Sequence, residues 1–80
     1  MSLIGETKLR ILRELATGPS HGYGLAEKLD TSHGGIYTHL NELQEEGMIE
    51  VKEEHEEGRG KKMYGLTENG QLLLRAFGGD

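Results

Sequence analysis

The chain contains no cysteine, which excludes disulfides and thiolate metal sites outright. It has no long apolar run, so no segment reads as a membrane span. Met1-Ser2-Leu3-Ile4-Gly5-Glu6 lacks the charged and apolar regions of a secretory leader, and a cytoplasmic location is the expectation. Its 80 residues suffice for one domain, 1–80, and not for two. A domain of this size buries only a thin core, so support from a second subunit is expected. Catalytic constellations are missing too. There is no Ser/His/Asp context, no glycine loop after a strand to cradle a phosphate, and too little core to wall a substrate cleft. His21, His33, His39 and His55 stand without the spacing of a metal-binding pair, so no cofactor is expected. The residues do not read as an enzyme.

Cations are also scarce. Nine Lys and Arg stand against 14 Asp and Glu, for a net charge of -5. Nucleic-acid binding normally needs a basic face, so the total argues against it. The charge is segregated, however. Residues 1–41 are neutral overall: Lys8, Arg10, Arg13 and Lys28 offset Glu6, Glu14, Glu27 and Asp30. Residues 42–57 hold eight glutamates against Lys52 alone, giving -7. Residues 58–80 carry Arg59, Lys61, Lys62 and Arg75 against Glu68 and Asp80, giving +2. Local field, not the sum, decides where a phosphate backbone docks. The acid block is therefore expected to face away from any nucleic acid. An acidic coat suited to a saline cytoplasm is the other reading.

Hydrophobic spacing supplies the organisation. Leu9, Ile11, Leu12, Leu15 and Ala16 recur at helical intervals from about Glu6 to Ala16, and Gly18-Pro19 ends that helix. Ser20-His21-Gly22 reads as a polar turn. Tyr23, Leu25, Ala26 and Leu29 form the apolar set of a second, short helix. Asp30-Thr31-Ser32 breaks it and supplies a cap for the next. Ile36, Leu40 and Leu43 give one buried stripe on a third helix, about His33 to Glu46, closed by Gly47. The period then changes to two. Ile49 and Val51 share one face of a strand, and Tyr64 and Leu66 share one face of another from Lys62 to Leu66. The polar stretch between them contains Gly58 and Gly60, as in a hairpin. Thr67 is the expected cap of a last helix, about Glu68 to Phe77, although Gly70 stands where the glutamate of a capping box would serve.

The order helix, helix, helix, strand, strand, helix is that of a winged helix-turn-helix. The predicted fold is mainly α with a small β-hairpin: a three-helix core, a two-stranded wing at about 48–66 and a C-terminal helix at about 67–77. The helix-turn-helix unit occupies about 20–47. In such units the second helix of the pair lies in the major groove, with its N-terminal residues at the base edges. Ser32, His33, Gly34, Gly35, Tyr37 and Thr38 occupy that position. Their hydroxyl, phenol and imidazole groups can meet phosphates or base edges. Ordinary exposed residues at a weak helix start are the alternative reading. In the wing, Arg59, Lys61 and Lys62 can follow a phosphate backbone and release its counterions; a solubilising loop is the alternative there.

Leu72, Leu73 and Leu74 span about 200° of helix circumference, too wide for the core of one small domain. With Phe77 they predict a homodimer through the last helix, with Leu3 and Ile4 as added contacts. A frayed apolar tail is the alternative.

The chain resembles the PadR family of transcriptional regulators. The matching segments are Gly18-Pro19-Ser20-His21-Gly22-Tyr23, Gly34 with Ile36-Tyr37, Glu45-Glu46-Gly47-Met48-Ile49, Gly58-Arg59 with Lys61-Lys62, and Leu66-Thr67-Glu68. The resemblance implies a dimeric winged-helix protein, usually a repressor, that binds double-stranded DNA; two recognition helices of a homodimer would then meet a palindromic operator with half-sites roughly one helical turn apart. It also places Ser20, His21 and Tyr23 near the DNA backbone. His33 and Gly35 stand where the family often has proline and threonine, which implies a different base preference. Gly60 replaces a frequent proline at the wing tip. A longer C-terminal region is common in the family, and a small-molecule effector is left undefined here. Two other functions remain: a protein-interaction module using the acidic face, and a metal- or ligand-gated regulator.

Overall fold

A computed structural model describes residues 5–54 and 62–78. Its elements run α1 (Glu6–Leu15), β1 (Ser20–His21), α2 (Gly22–Lys28), α3 (His33–Glu45), β2 (Ile49–Glu54), β3 (Lys62–Leu66) and α4 (Glu68–Ala76). Four helices and the β2–β3 hairpin stand where hydrophobic spacing predicts them.

The sheet differs from the expected pair of strands. Ser20-His21, read from sequence as a turn, is a third strand. It pairs antiparallel with β3, Ser20 opposite Tyr64 and His21 opposite Met63, so the order is β1-β3-β2. Nothing in these two residues favours a strand by itself. Their backbone groups find partners on the free edge of the wing, which also ties the start of α2 to the hairpin. In the hairpin, Val51 opposes Tyr64 and Glu53 opposes Met63, so Lys52 is the extra residue of a bulge. Its stem lies over Gly65, where a Cβ would sit 2.8 Å from Lys52 Cγ.

One core joins all these parts. Ile11, Leu12 and Leu15 of α1 meet Leu25, Ala26 and Leu29, the α3 stripe of Ile36, Leu40 and Leu43, then Ile49, Tyr64 and Leu74. No charged or polar residue is buried among the described residues. Two members of the expected apolar sets lie outside the core: Ala16 is exposed, and Tyr23 is 55% exposed.

Helix ends explain the sharp turns. Ser32 Oγ caps α3 by accepting from Gly35 N at 3.0 Å. At the other end, Gly47 N donates to Gln44 O (3.0 Å) and Met48 N to Leu43 O (2.9 Å), the pairing of a Schellman motif. That motif requires the left-handed conformation that Gly47 adopts, at φ 78°. Thr67 then links α3 to α4. Its hydroxyl donates to Gly47 O (2.6 Å) and accepts from Gly70 N (3.1 Å). A Cβ on Gly70 would run into the Met48 carbonyl. The missing capping-box glutamate thus has a steric reason: α4 starts against the backbone that leaves α3.

Candidate nucleic-acid interface

The N-terminal turn of α3 is exposed at Ser32, His33, Gly34 and Thr38. Gly35 is half-buried beneath Ser32, close to its Oγ. His33 does not stand alone. Its imidazole stacks on the Tyr23 ring, with centroids 4.3 Å apart and planes 17° off parallel. The exposure of Tyr23 therefore has a local cause: it leaves the core to support the first residue of α3.

Tyr37, expected to be free for contacts, is half-buried and packs against the core. Its ring lies on the bare backbone of Gly22, where a Cβ would come within 2.7 Å of Tyr37 Cε1. Gly22 thus sets how closely α2 and α3 cross. Tyr37 also acts electrostatically on Tyr64, whose hydroxyl pKa is raised from its ordinary value first by burial, then by Tyr37 and Glu54.

The β1 strand completes this side. Ser20 and His21 are half-buried, and His21 Nδ1–H donates to the Lys62 carbonyl at 3.3 Å. That bond leaves Nε2 as the ring's remaining polar atom. An open groove of ≈ 1300 Å³ runs past His21, Tyr23, Gly24, His33, Tyr37 and Met63. The structure thus brings together Ser20, His21, Tyr23, His33 and Tyr37 along one groove, beside Ser32, Gly34 and Thr38. Arg59 and Lys61 lie outside the described residues, as do His55, Leu3 and Ile4.

Charge follows the expected segregation at α3 and departs from it in the wing. Glu42 and Glu46, toward the C-terminal end of α3, face Lys8 of α1 at 3.2 and 3.7 Å. They sit about 15 Å and more from Ser32 along the helix axis. Glu54, however, is not directed away from the basic limb. The strand register sets it opposite Lys62, with Lys62 Nζ 3.8 Å from its carboxylate. The one described cation of the wing tip therefore carries an acidic neighbour, a relation set by cross-strand register. His39 turns away from the front as well. Its Nδ1 is shielded, has no hydrogen-bond partner and lies 3.6 Å from Glu42. No group of three His, Asp or Glu suited to a metal occurs among the described residues. Among them too, no helix is long and apolar enough to cross a membrane.

Along α4 the three leucines separate. Leu74 is buried in this chain's own core, Leu73 packs at its margin, and Leu72 is 53% exposed. Phe77 is half-buried at the helix end. The uncovered part of α4 therefore centres on Leu72, and Leu74 is turned inward. Asn41 is a polar residue missed by sequence reasoning. It is exposed and lies on the same side of α3 as Gly34 and Thr38. The i, i+4, i+7 spacing from Gly34 could have found it.

Residues 11–76 match the model of the Transcriptional regulator PadR-like family. The chain is 42% identical to the transcriptional regulator YqjI of Escherichia coli, over 88% of this chain and 36% of that protein. It spans about a third or less of the curated relatives it matches. Two solved structures extend the likeness. A transcriptional regulator of Thermoplasma acidophilum, TA0346, is 29% identical with a TM-score of 0.81, over 92% of this chain and 76% of that one. Bacillus subtilis PadR in complex with operator DNA is 29% identical with a TM-score of 0.76, over 88% of this chain and 45% of that one.

Proposed function

The chain belongs to the PadR-like family of transcriptional regulators, and from that premise we propose that it binds double-stranded DNA sequence-specifically, as a cytoplasmic homodimeric repressor. The observation that carries this reading is the exposed, Ser32-capped start of α3 in a chain that shares its fold with a protein solved on operator DNA. The front of α3 enters the major groove. Ser32, His33, Gly34, Gly35, Tyr37 and Thr38 form that front, and Ser20, His21 and Tyr23 approach the sugar-phosphate backbone beside it. The helix N-terminus favours the phosphate charge at that point. Arg59, Lys61 and Lys62 of the wing neutralise phosphates further along.

The pairing of Glu42 and Glu46 with Lys8 supports this orientation. It places acidic groups at the far end of α3, partly neutralised by the protein itself. The dimer forms through α4, with Leu72 at its centre and Leu73 and Phe77 beside it. Two α3 helices then read half-sites of a palindrome about one helical turn apart. Repression follows from occupancy of the operator.

Retention on random-sequence duplexes across a salt series tests the reading. Affinity should fall steeply as salt rises, and reversing Lys61 and Lys62 to glutamate should weaken binding throughout. Binding that ignores both changes would refute it. For the dimer, sedimentation at high concentration should give twice the chain mass, and Leu72→Glu should return the monomer.

A further inference from the structure

Gly34, Thr38 and Asn41 lie along one side of α3, because positions three and four apart stack on a helix. All three are exposed. What this side lacks at its front is informative. Guanine is most often read by a bidentate Arg or Lys, and adenine by a bidentate Asn or Gln. None of these residues occurs between Ser32 and Leu40. Asn41, the first of them, stands about 10 Å behind Gly34 along the axis.

Two hydroxyls at the front have partners on their own helix. Ser32 Oγ accepts from Gly35 N at 3.0 Å, and Thr38 Oγ1 donates its only proton to the Gly34 carbonyl at 3.1 Å. Such back-bonding is ordinary for threonine in a helix; its consequence here comes from the surroundings. With its proton directed onto the helix, Thr38 offers no donor outward, and its γ-methyl is the apolar group at this exposed position. One turn earlier Gly34 has no side chain, and a Cβ there would meet nothing within 4 Å. The surface is a shallow step, with bare backbone in front and a methyl group behind.

The 5-methyl of thymine is the apolar group on the major-groove edge, and a threonine methyl is among its known complements. We infer that Gly34 and Thr38 form a seat for a thymine 5-methyl group, Gly34 giving clearance and the Thr38 methyl giving contact. Cytosine offers a polar amino group and no methyl, so the seat favours thymine at that position. This specificity rests on the reading that α3 enters the major groove, and its test separates the two.

The 80-residue protein first selects its preferred site from a pool of randomised duplexes. That duplex is then remade with deoxyuridine in place of thymine, one position at a time, which removes only the methyl. One thymine in each half-site should be sensitive, its replacement weakening binding about fourfold, the worth of one buried methyl group. Thr38→Ser keeps the hydroxyl, drops the methyl and should abolish that sensitivity. Thr38→Val keeps a methyl and should retain it. Selective binding with no sensitivity to deoxyuridine overturns the inference and leaves DNA binding standing. Sensitivity that survives in Thr38→Ser also overturns it, because the contact then lies elsewhere. Failure to select any duplex overturns the DNA-binding reading and this inference together.

Discussion

At its C-terminal end α3 stops in two backbone bonds to Leu43 and Gln44, with Thr67 bonded to Gly47 and α4 pressed against Met48. Its N-terminal end is held by the hydroxyl of Ser32 and by a ring stack between Tyr23 and His33. The far end also carries charge, Glu42 and Glu46 against Lys8. The near end has no Asp, Glu, Lys or Arg between Ser32 and His39. The contrast shows how a small domain divides its work. Steric interlock and ion pairs hold one end of the helix, while the other carries exposed residues with no Asp, Glu, Lys or Arg among them.

Substitutions at the two ends should therefore differ in kind and size. The largest effect is expected at the far end. Gly70→Ala drives a methyl group into the Met48 carbonyl and should cost about 3 kcal/mol, the upper range for overpacking. In a domain of this size that lowers Tm by roughly 15 °C, measurable by thermal unfolding. A shift of only a degree or two would show that α4 can slide off, and that the interlock is weaker than described.

At the near end, Gly22→Ala meets the Tyr37 ring, which can move aside more readily than backbone. A loss of about 2 kcal/mol is expected, together with weaker DNA retention as Tyr37 is displaced. Unchanged retention in a variant that melts lower would separate the Tyr37 position from binding. Ser32→Ala removes the α3 cap and should cost about 1 kcal/mol, read from urea unfolding.

Two smaller effects sharpen the electrostatic half of the contrast. Lys8→Met keeps the side-chain stem and removes the charge facing Glu42 and Glu46. These carboxylates are half exposed, so the loss should stay under about 1 kcal/mol and shrink when salt is raised to about 1 M. Tyr64 gives the smallest effect near neutrality. Burial raises its pKa, then Tyr37 and Glu54 add to the rise, so the folded protein holds that proton more tightly than the unfolded chain. The stability it contributes is complete below a pH of about 10 and is lost as pH rises through the folded value. Tyr64→Phe should flatten that part of the stability curve relative to the parent. A parallel decline in both proteins would assign the alkaline loss to other groups.

Much of this architecture is written in local spacing. The stripes Ile11-Leu12-Leu15 and Ile36-Leu40-Leu43 locate two helices, and Ser32 and Thr67 announce where helices begin. Features set by contacts far apart in the chain are not written there. Ser20-His21 is a strand only because β3 offers it an edge. The Lys52 bulge and the facing of Glu54 with Lys62 depend on hairpin register, which alternation between positions 49 and 66 does not determine. At the candidate interface, residue identities were legible and their relations were not. Tyr23 resembles a core residue in the helical pattern, yet it supports His33. Tyr37 resembles a free residue, yet its ring rests on Gly22. The pattern of Leu72, Leu73 and Leu74 shows that too much apolar surface is present, and only packing shows that Leu74 is the one turned inward.

The bond from Thr67 to Gly47, with Gly70 seated on Met48, has a mechanical meaning. It seats the start of α4 against the backbone that leaves α3 as a tenon sits in its mortise, so the place where α4 begins is fixed by the place where α3 stops.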